Sequence, residues 1–284
     1  MHFKSNRKLS FLAVFIVYII ASAIGFIAYL VQTNLPWWVR LLIADIVATV
    51  VTFLFSVLFK NASVYDPYWS VQPAVILIGY AIANGLNPTR TLILIAVTLW
   101  AVRLTANWAY TFGDLTHQDW RYTMLKEKTG KFYPLINFLG IHLVPTLVVY
   151  ACVLPAAFLF QNNFSPNAGS FIFFFVSIGA TALQTVSDIQ MQRFRKRKTG
   201  GFIRDGLWKY SRHPNYLGEI LMWWGVALSV FSVAPNAWYL LSGAAANTLL
   251  FLFVSLPMAE KRQGEKDGFD EYKKQTRLLL PIKK

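Results

Sequence analysis

With 284 residues, 56% of them hydrophobic and 16% aromatic against 14% charged, the chain is too apolar for an ordinary soluble domain. A formal net charge of +14 would suggest nucleic acid in a soluble protein; here the basic residues fit cytoplasmic loops at a membrane surface, and no nucleic-acid partner is expected. The single cysteine, Cys152, lies in an apolar run and excludes a disulfide framework and a cysteine-based zinc site.

Runs of roughly 20 apolar residues can cross about 30 Å of hydrocarbon as helices. In chain order they fall at 9–31, 38–59, 91–112, 135–160, 170–189, 216–233 and 237–258, with a shorter one at 71–83. The first has the basic start of a signal peptide but no clear small-residue cleavage site, so it is read as a retained span. The expectation is an all-α, polytopic membrane bundle of about eight transmembrane helices with both termini cytosolic. With the amino terminus inside, 24 of the 27 Lys and Arg residues fall in inside segments, the bias that the positive-inside rule predicts. No repeat or linker divides residues 1–284. They read as one membrane domain, with N-terminal spans over 1–60 and a substrate-side segment over 61–134.

Ionisable groups inside spans are costly and call for a partner or a task. Those here are Asp45, Arg103, His142, Asp188 and Glu219. Asp45 reads as a structural partner for Arg103 or a helix end, and His142 as a packing residue. Arg103 and Asn107 are one helical turn apart and share a face. With four histidines, two of them in loops, no metal-ligand spacing exists and no metal is expected.

The segment "SVYDPYWSVQP", residues 63–73, surrounds Asp66 with Tyr65, Tyr68 and Trp69. Burial among these rings would raise the pKa of the carboxyl and let it donate a hydrogen bond near neutral pH. An interfacial aromatic belt with a capping Asp is the plainer reading. Residues 187–216, "SDIQMQRFRKRKTGGFIRDGLWKYSRHPNY", gather the positive charge. Attraction to anionic lipid explains it simply. The alternative is a polyanion site, in which Arg193, Arg195, Arg197, Arg204 and Arg212 grip phosphates while Gly200, Gly201 and Gly206 let the backbone approach. Asn215 and Glu219, one turn apart at a span mouth, can read an amide or ribose, with Trp208 and Tyr210 placed to stack on a ring. No GxGxxG occurs, so any nucleotide must be held by the helices themselves.

The run "GLWKYSRHPNYLGEILMWWG" after "SDIQMQRFRKRK" resembles the carboxy-terminal domain of the steroid 5-alpha-reductase family and its bacterial relatives, with weaker likeness in "YDPYWSVQP", "LWAVRLTANW" and "DWRY". The resemblance implies a seven-helix reductase core plus one N-terminal span, with residues 187–284 binding NADPH from the cytosolic face. It implies reduction of an enone carbon–carbon bond in a steroid-like or other lipid. Carried over by position, Asp188, Arg195, Arg204, Tyr210, Asn215, Glu219 and Arg262 would contact NADPH, and Arg212, His213 and Tyr216 belong to the same motif. Asp66 would stand where the family has a substrate-facing glutamate, beside Tyr65 in place of a glutamine, with Tyr122 as a candidate proton donor. Tyr68, Trp69, Trp100, Arg103 and Asn107 would face substrate; Trp100 replaces a tyrosine that helps hold the substrate ketone. The Arg-His-Pro-x-Tyr-x-Gly pattern is also similar to that of isoprenylcysteine and phospholipid methyltransferases. In that reading Arg212, His213, Tyr216 and Glu219 surround S-adenosylmethionine. A third reading is a lipid-binding membrane protein without catalysis. Substrate and oligomeric state stay open at this level.

Overall fold

The computed structural model describes residues 2–198 and 200–281, and among them every regular element is helical. Leaving aside several short 3-10 turns and a second π turn at Phe251–Ser255, the main ones in order are α1 (Arg7–Val31), α2 (Trp37–Leu58), a 3-10 turn (Ala62–Tyr65), α3 (Tyr68–Asn84), α4 (Pro88–Thr111), α5 (Trp120–Thr129), α6 (Tyr133–Ile136), a π turn (Asn137–Leu143) and α7 (Val144–Gln161). There follow α8 (Ala168–Arg197), α9 (Pro214–Val233), α10 (Ser242–Leu250), α11 (Leu256–Gly264) and α12 (Phe269–Gln275).

Among the described residues, seven stretches are long and apolar enough to cross a membrane: α1, α2, α4, the run Trp120–Gln161, α8, α9 and the run Pro235–Gly264. The expected eighth, at 71–83, does form a helix, α3, but its 17 residues rise only about 26 Å, short of a hydrocarbon core of about 30 Å. Seven stretches thus meet the length of a full span, with α3 an eighth, shorter helix at the lower limit. Large apolar side chains such as Phe15, Phe26 and Phe253 stay exposed on these helices, as lipid-facing residues do.

The chain forms two compact units interleaved in sequence: Met1–Gly79 with Leu104–Tyr150, and Tyr80–Arg103 with Ala151–Lys284. In the first, α1 packs on α2 through small residues. A Cβ on Gly25 would stand 3.0 Å from the Ala44 carbonyl oxygen and 3.2 Å from Ala48 Cβ. Phe11 meets Trp108 and Phe112 edge to face, and those two rings pack on each other at a tilt. The Asn61 amide donates to the carbonyls of Leu115 and His117, 2.9 Å each, and Tyr18 Oη donates to the Val64 carbonyl at 2.7 Å. These bonds fix the irregular backbone of residues 61–67, whose polar groups need protein partners wherever water is excluded.

In the second unit, α8 and α9 meet over a longer seam. A Cβ on Gly225 would fall 2.2 Å from Ser177 Oγ and 2.9 Å from the Phe173 carbonyl oxygen, so only glycine permits this approach. Ser177 Oγ in turn donates to the Met222 carbonyl at 3.2 Å. Helix α9 opens with Pro214 in its first turn, where a missing N–H costs nothing. The Asp45–Arg103 pairing does not form: Asp45 Oδ1 accepts from Tyr68 Oη at 2.9 Å, while Arg103 Nη1 lies 2.7 Å from Asp188 Oδ2. A buried cation takes the carboxylate that reaches it with a hydrogen bond, and Asp188 supplies one.

Candidate functional site

Two groups of polar residues stand out, one in each unit. In the first unit Asp66 follows the 3-10 turn, and Tyr122 Oη, from the first turn of α5, donates to its Oδ1 at 2.5 Å. Asp119 caps α5, its Oδ1 accepting from the Arg121 N–H at 2.9 Å. Burial pushes the Asp66 carboxyl up to about 6 against the pull of the Arg121 guanidinium and the Tyr122 hydroxyl. Tyr65, wholly buried, shares a hydrogen bond with Thr146 Oγ1 at 2.8 Å. Tyr68 is committed to Asp45, and Trp69 packs at the edge of a cluster of Ala21, Ala48, Tyr65 and Tyr68. Asn107 is partly buried on α4. The structure thus brings Asp66 and Tyr122 into contact, while the hydroxyls of Tyr65 and Tyr68 are engaged elsewhere.

In the second unit α4, α8 and α9 converge on a buried polar centre. Glu219 Oε2 accepts from Trp100 Nε1 at 2.8 Å and its Oε1 from Trp223 Nε1 at 3.0 Å. Arg103 Nη2 stands 3.9 Å from Glu219 Oε2, so this guanidinium serves Asp188 closely and Glu219 at longer range. Trp100 is fully buried and its one polar atom is committed to Glu219. Asn215 Oδ1 is buried and unpartnered. One turn before Asp188, Gln184 is completely buried with both amide atoms unpartnered, and Arg103 Nε is unpartnered too. Unmet polar atoms of this kind cost about 1–3 kcal/mol each, and a ligand with amide or hydroxyl groups would satisfy them.

At the carboxy end of α8 the charge turns positive. Burial and the neighbouring Arg262 and Arg195 hold the Lys266 ammonium below the usual lysine range. Lys266 Nζ also donates to the Gly201 carbonyl at 2.8 Å. Arg204 lies over the Phe202 ring, 5.7 Å from its centre, and Tyr210 is exposed. Trp208, by contrast, is buried with its N–H on the Ser187 carbonyl at 3.2 Å, so it anchors the loop and has no free face for a ring. Gly206, at φ +62°, lets the loop lie against Gln190, whose Oε1 accepts from the Leu207 N–H at 2.9 Å.

Arg212 and His213 turn toward the tail. Arg212 grips both oxygens of Glu260, with Nη2 2.9 Å from Oε2, and His213 Nε2 lies 2.7 Å from Glu260 Oε1. Arg212 Nη1 donates to the Thr276 carbonyl, and Tyr272 Oη to that of Trp208. His213 stacks on Tyr216 at 5.3 Å. Sequence reasoning missed Glu260 and Gln184. The signals were there: Gln184 precedes Asp188 by one turn, and Glu260 is an acid directly after the last apolar run. Among the described residues no group of three or more His, Cys, Asp or Glu could hold a metal ion.

These features define a helical membrane protein with a buried acid–arginine centre next to a basic loop. The chain belongs to the family described as protein of unknown function DUF1295, whose profile matches residues 52–276. It is 27% identical to an uncharacterised protein of Schizosaccharomyces pombe over 77% of this chain and 69% of the other. It is also similar to 3-oxo-5-alpha-steroid 4-dehydrogenase 1 of Macaca fascicularis, 34% identical over 34% of each chain. The human protein of that name is 33% identical, over 34% of this chain and 35% of its own. The match therefore spans about a third of those dehydrogenases. No solved structure matches the chain.

Proposed function

We propose that this protein is a membrane-embedded, NADPH-dependent reductase of a conjugated carbon–carbon double bond in a steroid-like or other enone lipid. The observation that carries the reading is Lys266, held on the Gly201 carbonyl close enough to Arg195 at the end of α8 and Arg262 at the end of α11 to feel both cations. Such a cluster suits a ligand with several phosphate charges. S-adenosylmethionine carries none, which places the methyltransferase reading second. The similarity to two steroid 4-dehydrogenases points the same way. The residues present fit the group: the basic trio toward phosphates, and the unmet atoms of Gln184 and Asn215 toward amide and ribose.

Arg195, Arg262, Lys266, Gln184 and Asn215 would hold NADPH, which would supply a hydride for the β carbon of the enone. Asp66, protonated, donates to the substrate carbonyl as the C=C electrons move onto oxygen; Tyr122 holds the carboxyl by its other oxygen. The enolate collapses as its α carbon takes a proton, from water or from Tyr122, leaving a saturated ketone. The cofactor face is assigned to the cytosolic side because residues 191–214 carry eight of the 27 Lys and Arg residues, as inside segments do.

The test is to purify the protein in mild detergent, identify any co-purifying nucleotide by mass spectrometry, and titrate NADPH and S-adenosylmethionine by calorimetry. NADPH or NADP is expected in the preparation or in the titration. Binding of S-adenosylmethionine alone would establish the methyltransferase reading, and binding of neither would favour a non-catalytic lipid-binding protein.

A further inference from the structure

Asp66 stands on irregular backbone, and residues 115–122 hold that backbone along one side. The Ala62 N–H donates to Gln118 Oε1 and the Asp119 N–H to Ser63 Oγ, both at 2.9 Å, beside the Asn61 bonds to Leu115 and His117. Tyr122 Oη then reaches Asp66 Oδ1. The start of α5 thus fixes the carboxyl and its partner as one piece.

The same turn carries a charge pair that this fixing does not need. Asp119 caps α5 through one bond, from the Arg121 N–H to its Oδ1. The Arg121 side chain adds two more, from Nε to Oδ1 at 2.8 Å and from Nη2 to Oδ2 at 3.2 Å. Its guanidinium lies over the Tyr122 ring, 5.6 Å from the centre, and that ring's hydroxyl is the one on Asp66. With side chains 45% and 26% exposed, the pair adds little stability by itself. What it adds is charge beside a buried carboxyl.

The groups that act on Asp66 are Arg121, Tyr122 and Asp119 from the start of α5, Tyr65 beside it and Tyr18 from α1. Tyrosines are neutral near pH 7, which leaves Arg121 and Asp119 as the charges. They oppose each other: the cation favours the ionised carboxylate, the anion the protonated acid. Asp119 also occupies the guanidinium fork, which would otherwise pair with Asp66 directly and keep it ionised. Burial drives the Asp66 carboxyl upward, and Arg121, acting from its place on Asp119, brings it back to about 6. A group that shares a proton and recovers it works best when it titrates near the working pH.

We propose that Asp119 and Arg121 are positioning residues for the reaction, an opposed charge pair that sets how much of the Asp66–Tyr122 couple carries its proton at neutral pH. The inference rests on the reductase reading for the word reaction; the titration of Asp66 does not, and it is followed without cofactor or substrate. The protein is labelled with 13C-aspartate and its side-chain carboxyl signals are followed by NMR across pH in detergent micelles. The Asp66 signal is assigned by its loss in Asp66→Asn.

Arg121→Met keeps the backbone N–H on the Asp119 cap, and is expected to raise the Asp66 midpoint by about one pH unit, the lower end of an adjacent arginine's effect. Should that variant fold poorly, Arg121→Gln takes its place. Asp119→Asn keeps a capping oxygen but frees Arg121 to turn to Asp66, and is expected to lower the midpoint by about one unit. Simple loosening of the turn would move both midpoints down, toward an exposed carboxyl. If Arg121→Met leaves the midpoint in place or lowers it, or if Asp119→Asn does not lower it, the proposal is overturned. Where the reductase reading holds, the alkaline fall of kcat follows the same midpoints. Failure of that reading shows separately, as absence of NADPH binding by a protein whose Asp66 still titrates.

Discussion

Asp66 holds its proton to higher pH than an exposed carboxyl because burial disfavours its charge more than Arg121 and Tyr122 favour it. The sign follows directly. With a folded pKa of about 6, the group is protonated below that value and loses its donor as pH rises through it. If its proton serves the substrate carbonyl, kcat falls on the alkaline side of about pH 6. Asp66→Asn, whose amide still donates, removes that limb and keeps part of the activity. Asp66→Leu removes the donor and lowers kcat by about 10²-fold or more, the usual effect of deleting one oxyanion donor. Steady-state rates across pH 5 to 8 check all three outcomes; an unchanged profile in Asp66→Asn would remove the carboxyl from the reaction. Asp66 was legible in the sequence because a carboxyl flanked by Tyr65 and Tyr68 is costly to bury and so marks itself out. Its partner was legible only as a candidate, since Tyr122 lies 56 residues away and no local pattern joins them.

Between helices, the seam of α8 and α9 sets how accurately Asp188 and Glu219 are placed, since each helix carries one of these acids. Two glycines make a matched test. Gly225→Ala puts a methyl 2.2 Å from Ser177 Oγ and 2.9 Å from backbone, so the helices must separate. Gly179, on α8, has nothing within 4 Å of the equivalent position. Gly225→Ala is therefore expected to lose about 1–3 kcal/mol, as overpacking does, while Gly179→Ala is neutral or gains up to about 1 kcal/mol from helix propensity. Thermal unfolding in one detergent compares the pair. Spans of this kind are readable from apolar run length, and six of the structure's seven stretches begin within a few residues of expectation. The exception, Trp120–Gln161, starts far earlier because the polar helix α5 and a 3-10 turn over Gly130–Phe132, which hydropathy passes over, lead into it. Pairings such as Arg103 with Asp188 were not readable, because which carboxylate a buried arginine reaches depends on packing.

For the whole molecule, the tail gives Arg212 and His213 partners that the sequence reading did not foresee. The motif suggested cofactor ligands, and the structure commits both side chains to Glu260 and the segment that follows it. That segment returns over the basic loop through Lys266 to Gly201, Tyr272 to Trp208, Thr276 to Lys209 and the Arg277 carbonyl to the Arg212 N–H. It thereby sets Lys266 beside Arg195. Removing the Glu260 carboxylate leaves a buried guanidinium with carbonyl partners alone, a loss of about 3–5 kcal/mol. In Glu260→Ala the tail should open at least about 10²-fold more often, since 1.4 kcal/mol is a factor of ten. Trypsin should then cut after Lys273 and Lys274 correspondingly faster, while NADPH affinity drops with the trio dispersed. Glu271→Ala is the control: its pair with Lys274 is exposed on both sides, so its loss changes neither reading. Cleavage rates equal in the two variants would mean that the tail is held without Glu260, and that the Arg-His pair is available to a ligand after all.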